Sequence, residues 1–184
     1  MGHWAFFSYA RTDGKAAARL HAALDRYRTP ADLIGTNGAN GPVPKTFHPV
    51  FRDVSDLSGG GHLTDKIAKA LEESTCLVVL CSPAAAASPW VNKECETFIA
   101  QGNSAHIFPV IAPDLPAAGK RDELFEKTFF PPALRGKGLL AADLRETKTS
   151  TGKPLGDGKE NGRLKLIAGP VSYTHLAGDS QMTL

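Results

Sequence analysis

The 184 residues suit one domain, or one domain with a tail, and are enough to bury a sizeable core. The hydrophobic fraction of 42%, the charged fraction of 22% and the formal net charge of +2 are typical of a soluble globular protein and do not indicate nucleic-acid binding. The longest apolar run, Leu77 to Cys81, is too short to span a bilayer, and the N-terminus lacks the charged leader of a signal peptide. We therefore expect a cytoplasmic protein without a membrane or nucleic-acid partner.

The cysteines and histidines indicate neither disulfides nor a metal site. The chain has an odd number of cysteines, Cys76, Cys81 and Cys95, and they form no CxxC motif. Two of them lie in or beside the apolar run. This pattern is typical of buried thiols in a reducing compartment. The six histidines are scattered singly, so no spacing for metal ligands appears.

Predicted strands and helices alternate along most of the chain. Apolar residues at helical spacing predict one helix that starts near Asp13 and another that turns Leu63, Ile67, Ala70 and Leu71 inward. The elements in chain order are a strand at 3–9, a helix at 13–28, a turn-rich loop at 29–45, a strand at 47–53, a glycine-rich loop at 54–61, a helix at 62–74, a strand at 75–82, a linker from 83, a helix from 88 to about 102, a strand at 106–112, an irregular segment at 113–137 and a strand at 138–145.

This order predicts an α/β fold with a doubly wound sheet. The strand at 75–82 is continuously apolar, which is typical of a strand covered on both faces in a parallel sheet. Five such strands, joined by right-handed crossovers, place helices on both faces of the sheet. We expect a core domain at 1–146, a glycine-rich loop or linker at 147–162, and a short terminal helix followed by a disordered tail at 163–184.

Several nucleotide-binding and catalytic classes are excluded by missing motifs. No GxxxxGK[ST] and no strand-adjacent GxGxxG is present, which excludes the phosphate cradles of P-loop and dinucleotide-binding Rossmann proteins. The GxSxG elbow of serine hydrolases is also absent. The first predicted strand ends in Ser8 and Tyr9 and the third in Cys81 and Ser82, where a receiver domain needs acidic residues.

The stretch SPWVNKECETF places a tryptophan and a glutamate in the first turns of a helix. Ser88 is a typical N-cap and Pro89 suits the first helical position, so Trp90 and Glu94 share one helix face. The helix follows the carboxyl end of a strand, and ligands bind at that edge in doubly wound sheets. The spacing alone leaves two interpretations open, a solvated helix carboxylate or a carboxylate that lines a pocket.

Four sequence blocks occur in an order and at a spacing that resemble the TIR domain in its bacterial form. They are FFSYARTD (6–13), FRDVSDLSGGGHLTDKIAKALEES (51–74), CLVVLCSP (76–83) and SPWVNKECETF (88–98). With the segments between them, they cover roughly residues 3–145. The resemblance implies a flavodoxin-like sheet, with the loop after the second strand gating the pocket and mediating TIR–TIR contacts.

The resemblance also implies an NAD+ glycohydrolase, which cleaves the nicotinamide–ribose bond to give nicotinamide and ADP-ribose or a cyclic ADP-ribose isomer. NAD+ is then the substrate, and no cofactor is expected. Bacterial anti-phage immune signalling, self-association and a sensor or effector domain in the full-length protein are implied as well. The alternative is a non-catalytic adaptor module that assembles through TIR–TIR contacts.

Roles carry over to matching positions of this sequence. Glu94 matches the catalytic glutamate, four residues beyond Trp90. Substrate contacts are expected from Phe7, Ser8, Arg11, Ser82 and Trp90. The gating and assembly loop contributes Arg52, Asp53, Asp56, Leu57, Gly59, Gly60 and Gly61. Roles without substrate contact fit three of these residues equally well. They are core packing for Phe7, a surface position for Arg11 and helix capping for Ser82.

Overall fold

The fold is built on a five-stranded parallel sheet. A computed structural model describes residues 2–38, 41–52, 65–113 and 123–146, together with 152, 156–158, 162 and 165–167. The strands of the sheet are β1 (His3–Ser8), β2 (Val50–Arg52), β3 (Ser74–Cys81), β4 (Ile107–Ile111) and β5 (Ala142–Asp143). Their spatial order is β2-β1-β3-β4-β5, and every neighbouring pair is parallel. This is the flavodoxin-like order of a doubly wound sheet, which confirms the predicted fold class.

Helices cover both faces of this sheet. They are α1 (Gly14–Asp25), α2 (Asp65–Glu72), α3 (Pro83–Ala87), α4 (Pro89–Ala100) and α5 (Glu123–Phe129), with 3-10 turns at Arg11–Asp13, Ser104–His106 and Pro132–Leu134. One buried apolar cluster joins the sheet to α2, α3, α4 and α5, and a second joins the opposite face to α1. None of these helices combines the length and apolar character needed to cross a membrane.

The alternation of side chains along the central strands separates the two clusters. In β3, Leu77 and Val79 pack on the side of α4, whereas Val78 and Leu80 pack on the side of α1. All four are fully buried, which explains why the strand is apolar at every position. The same alternation in β1 sends neighbouring side chains to opposite faces of the sheet.

Two segments contain helices that the sequence analysis did not predict. The linker from Pro83 contains α3, which begins because the Ser82 hydroxyl oxygen accepts a hydrogen bond from the Ala85 backbone amide at 2.9 Å. Its alanine run has no contrast between apolar and polar faces, so periodicity could not reveal it. The segment 113–137, predicted to be irregular, contains α5, whose seven residues are too few to establish a period.

The chain beyond β5 packs against the sheet where the structure describes it. The Asp157 backbone amide donates to the Asp143 carbonyl oxygen at 2.9 Å, and the Asp143 amide donates to the Asp157 carboxylate at 3.0 Å. A Cβ added to Gly156 would lie 2.6 Å from the Arg145 carbonyl oxygen, so this close approach requires glycine. Leu166 is only 2% exposed and joins the cluster on the α1 side.

The domain boundaries therefore stay a prediction. The described parts of the predicted linker at 147–162 contact the core, and residues 165–167 are helical, in the region where a short terminal helix was expected. The predicted tail, the last fifteen residues at 170–184, lies outside the described residues. The fifth strand is also shorter than the predicted 138–145, since only Ala142 and Asp143 pair with β4.

Candidate active site at the switch point of the sheet

The topology of the sheet creates a crevice between β1 and β3. From β1 the chain passes to β2 on one side, then returns to β3 on the other side of β1. In doubly wound sheets, ligands bind outside the carboxyl ends of the strands at such a switch point. Ser8 ends β1, Ser82 directly follows β3, and α4 begins shortly afterwards. The predicted site residues on these segments are thus brought to one edge of the sheet.

The start of α4 fixes the position of Glu94. The Ser88 hydroxyl oxygen accepts a hydrogen bond from the Val91 backbone amide at 3.3 Å, and Pro89 occupies the first helical position, as predicted. Glu94 is only 9% exposed, whereas Lys93 and Glu96 are exposed and pair with each other at 3.8 Å. The interpretation of Glu94 as a solvated helix carboxylate is therefore wrong.

A short hydrogen bond joins Glu94 to the end of β1. The Ser8 hydroxyl donates to Glu94 Oε2 at 2.5 Å, and Ser8 is 1% exposed. This distance is at the short end of the range for a hydroxyl that donates to an oxygen atom. Because an unpaired buried carboxylate is costly, such a bond also helps the fold to retain Glu94 at the switch point. The carboxylate is thereby connected directly to a central strand.

A second serine–carboxylate bond crosses the crevice in the opposite direction. The Ser82 hydroxyl donates to Asp13 Oδ2 at 2.5 Å and accepts from the Ala85 amide. Asp13 stands at the N-cap of α1 but makes no capping bond with its side chain, since its carboxylate is directed to Ser82. From the sequence, only a helix start was expected near Asp13. Its position just after the first strand was the available signal that the carboxylate faces this edge.

The other predicted substrate contacts lie in different surroundings. Phe7 is 1% exposed and belongs to the cluster on the α1 side, where its ring centroid is 5.9 Å from that of Tyr9. Its side chain therefore lies on the opposite face of β1 from Ser8. Arg11 is exposed in the 3-10 turn after β1, and Trp90 is half-buried on α4. Ser8 and Glu94 are in contact and Ser82 lies at the same edge of the sheet, while the substrate contacts of all these residues stay predictions.

The predicted gating loop begins at Arg52, the last residue of β2. The Arg52 guanidinium carbon lies 6.0 Å from the centroid of the Tyr9 ring, a distance that suits a cation–π contact. Tyr9 directly follows Ser8, so the start of the loop adjoins the carboxyl end of β1. The remaining predicted loop residues lie outside the described part of the chain: Asp53, Asp56, Leu57, Gly59, Gly60 and Gly61.

The cysteines near the site are not equipped to act as nucleophiles. All three are free and fully buried, as predicted. Burial raises the pKa of the Cys95 thiol well above its usual range, and the neighbouring Cys81 and Glu94 raise it further. Burial alone likewise raises the pKa of Cys76. Across the described residues, His, Cys, Asp and Glu side chains form no cluster of three that would suit a metal ion.

Comparisons with known proteins agree with the fold. The family model described as the TIR domain matches residues 44–152 of this chain. The NAD(+) hydrolase ApTIR of Actinoplanes sp. is 39% identical over 140 residues, a match that covers 74% of this chain and 18% of that protein. This chain therefore spans less than a fifth of that relative. The family model covers more than half of the chain and includes β2, β3, β4 and α4, and on this ground the protein belongs to the TIR domain family.

Proposed function

We propose that this TIR domain is an NAD+ glycohydrolase that cleaves the bond between nicotinamide and ribose. The observation that carries the proposal is the buried Glu94 carboxylate at the switch point, held by the Ser8 hydroxyl. The name of the relative ApTIR as an NAD(+) hydrolase gives further support. An adaptor that only assembles has no need of a carboxylate buried at the ligand-binding edge of its sheet.

One carboxylate is sufficient for this reaction. Nicotinamide is bonded to ribose as a cationic pyridinium and leaves as a neutral molecule, so no general acid has to protonate it. Positive charge develops on the ribose, and a carboxylate fixed nearby stabilises this oxocarbenium-like centre. Water then adds to the anomeric carbon and loses a proton, which yields ADP-ribose. Attack by a group of the same molecule in place of water yields a cyclic isomer.

The predicted substrate contacts differ in how much surface they offer a ligand. Trp90 is half-buried on the helix face that it shares with Glu94, so it suits a pocket wall. Arg11 is exposed at the same sheet edge, where a guanidinium suits the pyrophosphate of a dinucleotide. Phe7, Ser8 and Ser82 are at most 1% exposed, and their share of substrate binding is correspondingly smaller.

The proposal extends to assembly and biological context. NAD+ serves as substrate without a separate cofactor, and the active form is self-associated through the loop that begins at Arg52. A sensor or effector domain in the full-length protein, or as a partner, supplies the activating signal, and the resulting NAD+ cleavage serves bacterial anti-phage defence. The TIR family membership supports this extension, as does the contact of Arg52 with the ring of Tyr9, the residue next to Ser8.

The test is incubation of concentrated protein with NAD+, followed by chromatography for nicotinamide, ADP-ribose and any further product. Glu94→Gln keeps the size of the side chain but removes its charge, and we expect a loss of at least about 100-fold in rate. Glu96→Gln is the matched control, because that carboxylate lies on the same helix but is exposed. Equal rates for Glu94→Gln and wild type would refute the assignment of Glu94. Self-association without any release of nicotinamide would favour the adaptor.

A further inference from the structure

The bond between Ser8 and Glu94 connects a rigid part of the fold to a flexible side chain. Ser8 stands opposite Val79 of β3, and the residue before it stands opposite Arg52 of β2, so strands flank this end of β1 on both sides. A serine side chain has one torsion between its backbone and its hydroxyl oxygen. Glutamate has three, and several rotamers are open to it on a helix. The position of the serine is therefore set by the strand, and the hydrogen bond to it restricts the glutamate side chain.

The direction of this bond gives Ser8 a role different from substrate contact. A hydroxyl has a single proton to donate, and Ser8 donates it to Glu94 Oε2 at 2.5 Å. The proton is therefore not available for a ribose hydroxyl or a phosphate while the bond exists. The effect of Ser8 on a substrate then passes through the carboxylate, because the hydrogen bond fixes the position of one of its oxygens.

The position of a stabilising carboxylate has a large effect on rate. Electrostatic stabilisation of a developing charge depends on a group that is already in place before the reaction. A displacement of about 1 Å can lower a rate by roughly 100-fold. From these contacts we infer that Ser8 is a positioning residue, which holds the Glu94 carboxylate in the place required for cleavage of the nicotinamide–ribose bond. This inference rests on the proposed function.

The kinetic test compares Ser8→Ala with a serine of similar burial at the opposite edge of the sheet. Ser74 is 6% exposed at the start of β3, and its hydroxyl donates to the Ala70 carbonyl oxygen at 2.6 Å. We expect Ser8→Ala to lower kcat by about 10- to 100-fold with little change in KM. Ser8→Thr keeps a hydroxyl and restores most of kcat, while Ser74→Ala retains the wild-type kcat. Equal losses in Ser8→Ala and Ser74→Ala would overturn the inference, as would an unchanged kcat in Ser8→Ala.

A second measurement does not depend on activity. In protein labelled with carbon-13 at the glutamate carboxyl groups, the NMR resonance that disappears in Glu94→Gln identifies Glu94. In Ser8→Ala this resonance should broaden or divide into several, because the carboxylate is no longer held in one position, whereas Ser74→Ala should leave it unchanged. An unchanged resonance in Ser8→Ala would overturn the role of Ser8. Absence of nicotinamide release by the wild type would instead refute the proposed function, while the resonance still shows whether Ser8 holds the carboxylate.

Discussion

Replacing Leu166 by alanine tests whether the chain beyond β5 belongs to the folded core. Leu166 is 2% exposed and packs in the cluster on the α1 side of the sheet. Removal of a leucine side chain that is buried to this extent typically costs about 3 kcal/mol of unfolding free energy. For a domain of this size each kcal/mol corresponds to roughly 2–4 °C in the melting temperature. We therefore expect Leu166→Ala to melt roughly 6–12 °C below the wild type.

The assay is thermal or urea unfolding followed by circular dichroism, with Leu140→Ala as the matched control. Leu140 is 90% exposed, so the same truncation there should change the unfolding free energy by no more than about 0.5 kcal/mol. A clear difference between the two variants places Leu166 in the cooperative unit and moves the end of the folded domain beyond residue 146. Equal melting temperatures for the two variants would refute this reasoning.

Three further predictions address the thiols, the pocket wall and acid stability. The three buried cysteines should not react with Ellman's reagent in the native protein but should all react in denaturant, and one fast native thiol would contradict their burial. The variant Trp4→Phe has Trp90 as its sole tryptophan, and we expect NAD+ to change the fluorescence emission of this residue. An unchanged emission spectrum at saturating NAD+ would contradict a position of Trp90 in the pocket wall. Burial raises the pKa of the Asp25 carboxyl, but hydrogen bonds from His48 and a backbone amide outweigh this and hold the pKa below its usual range. The stabilising contribution of ionised Asp25 is then present above about pH 4 and lost as the pH falls further. Asp25→Asn should therefore reduce the difference in unfolding free energy between neutral and acidic pH. The control Asp32→Asn, at an exposed position, should leave that difference unchanged.

The sequence was most informative where a local pattern determines the structure. The unbroken apolar strand β3 and the alternation of strands and helices predict a doubly wound sheet because burial on both faces leaves no polar positions. In the same way, Ser88 and Pro89 start α4 where predicted, and helical spacing alone puts Trp90 and Glu94 on one face. The resemblance to the TIR family, carried by four blocks in order, was confirmed by the family model.

Contacts between distant parts of the chain could not be predicted in this way. Ser8 and Glu94 are separated by 86 positions, and Asp13 and Ser82 by 69. Their pairing depends on the crossover geometry and on which face of the strand each side chain occupies. A serine and an aspartate near element ends suggest caps, as Ser82 confirms, but only the folded sheet directs the Asp13 carboxylate away from its own helix.

The register between β1 and β3 has a consequence for how a ligand reaches the carboxylate. The carboxyl halves of these two strands are buried, and Ser8 at the end of β1 stands opposite Val79. Buried central strands open only with global unfolding, so the spacing between β1 and β3 at the bottom of the crevice stays constant. An aperture for a ligand must then be adjusted at its rim, near the first turn of α4 and the end of β2 at Arg52. Substitutions that alter turnover without changing the chemistry should accordingly concentrate on that rim.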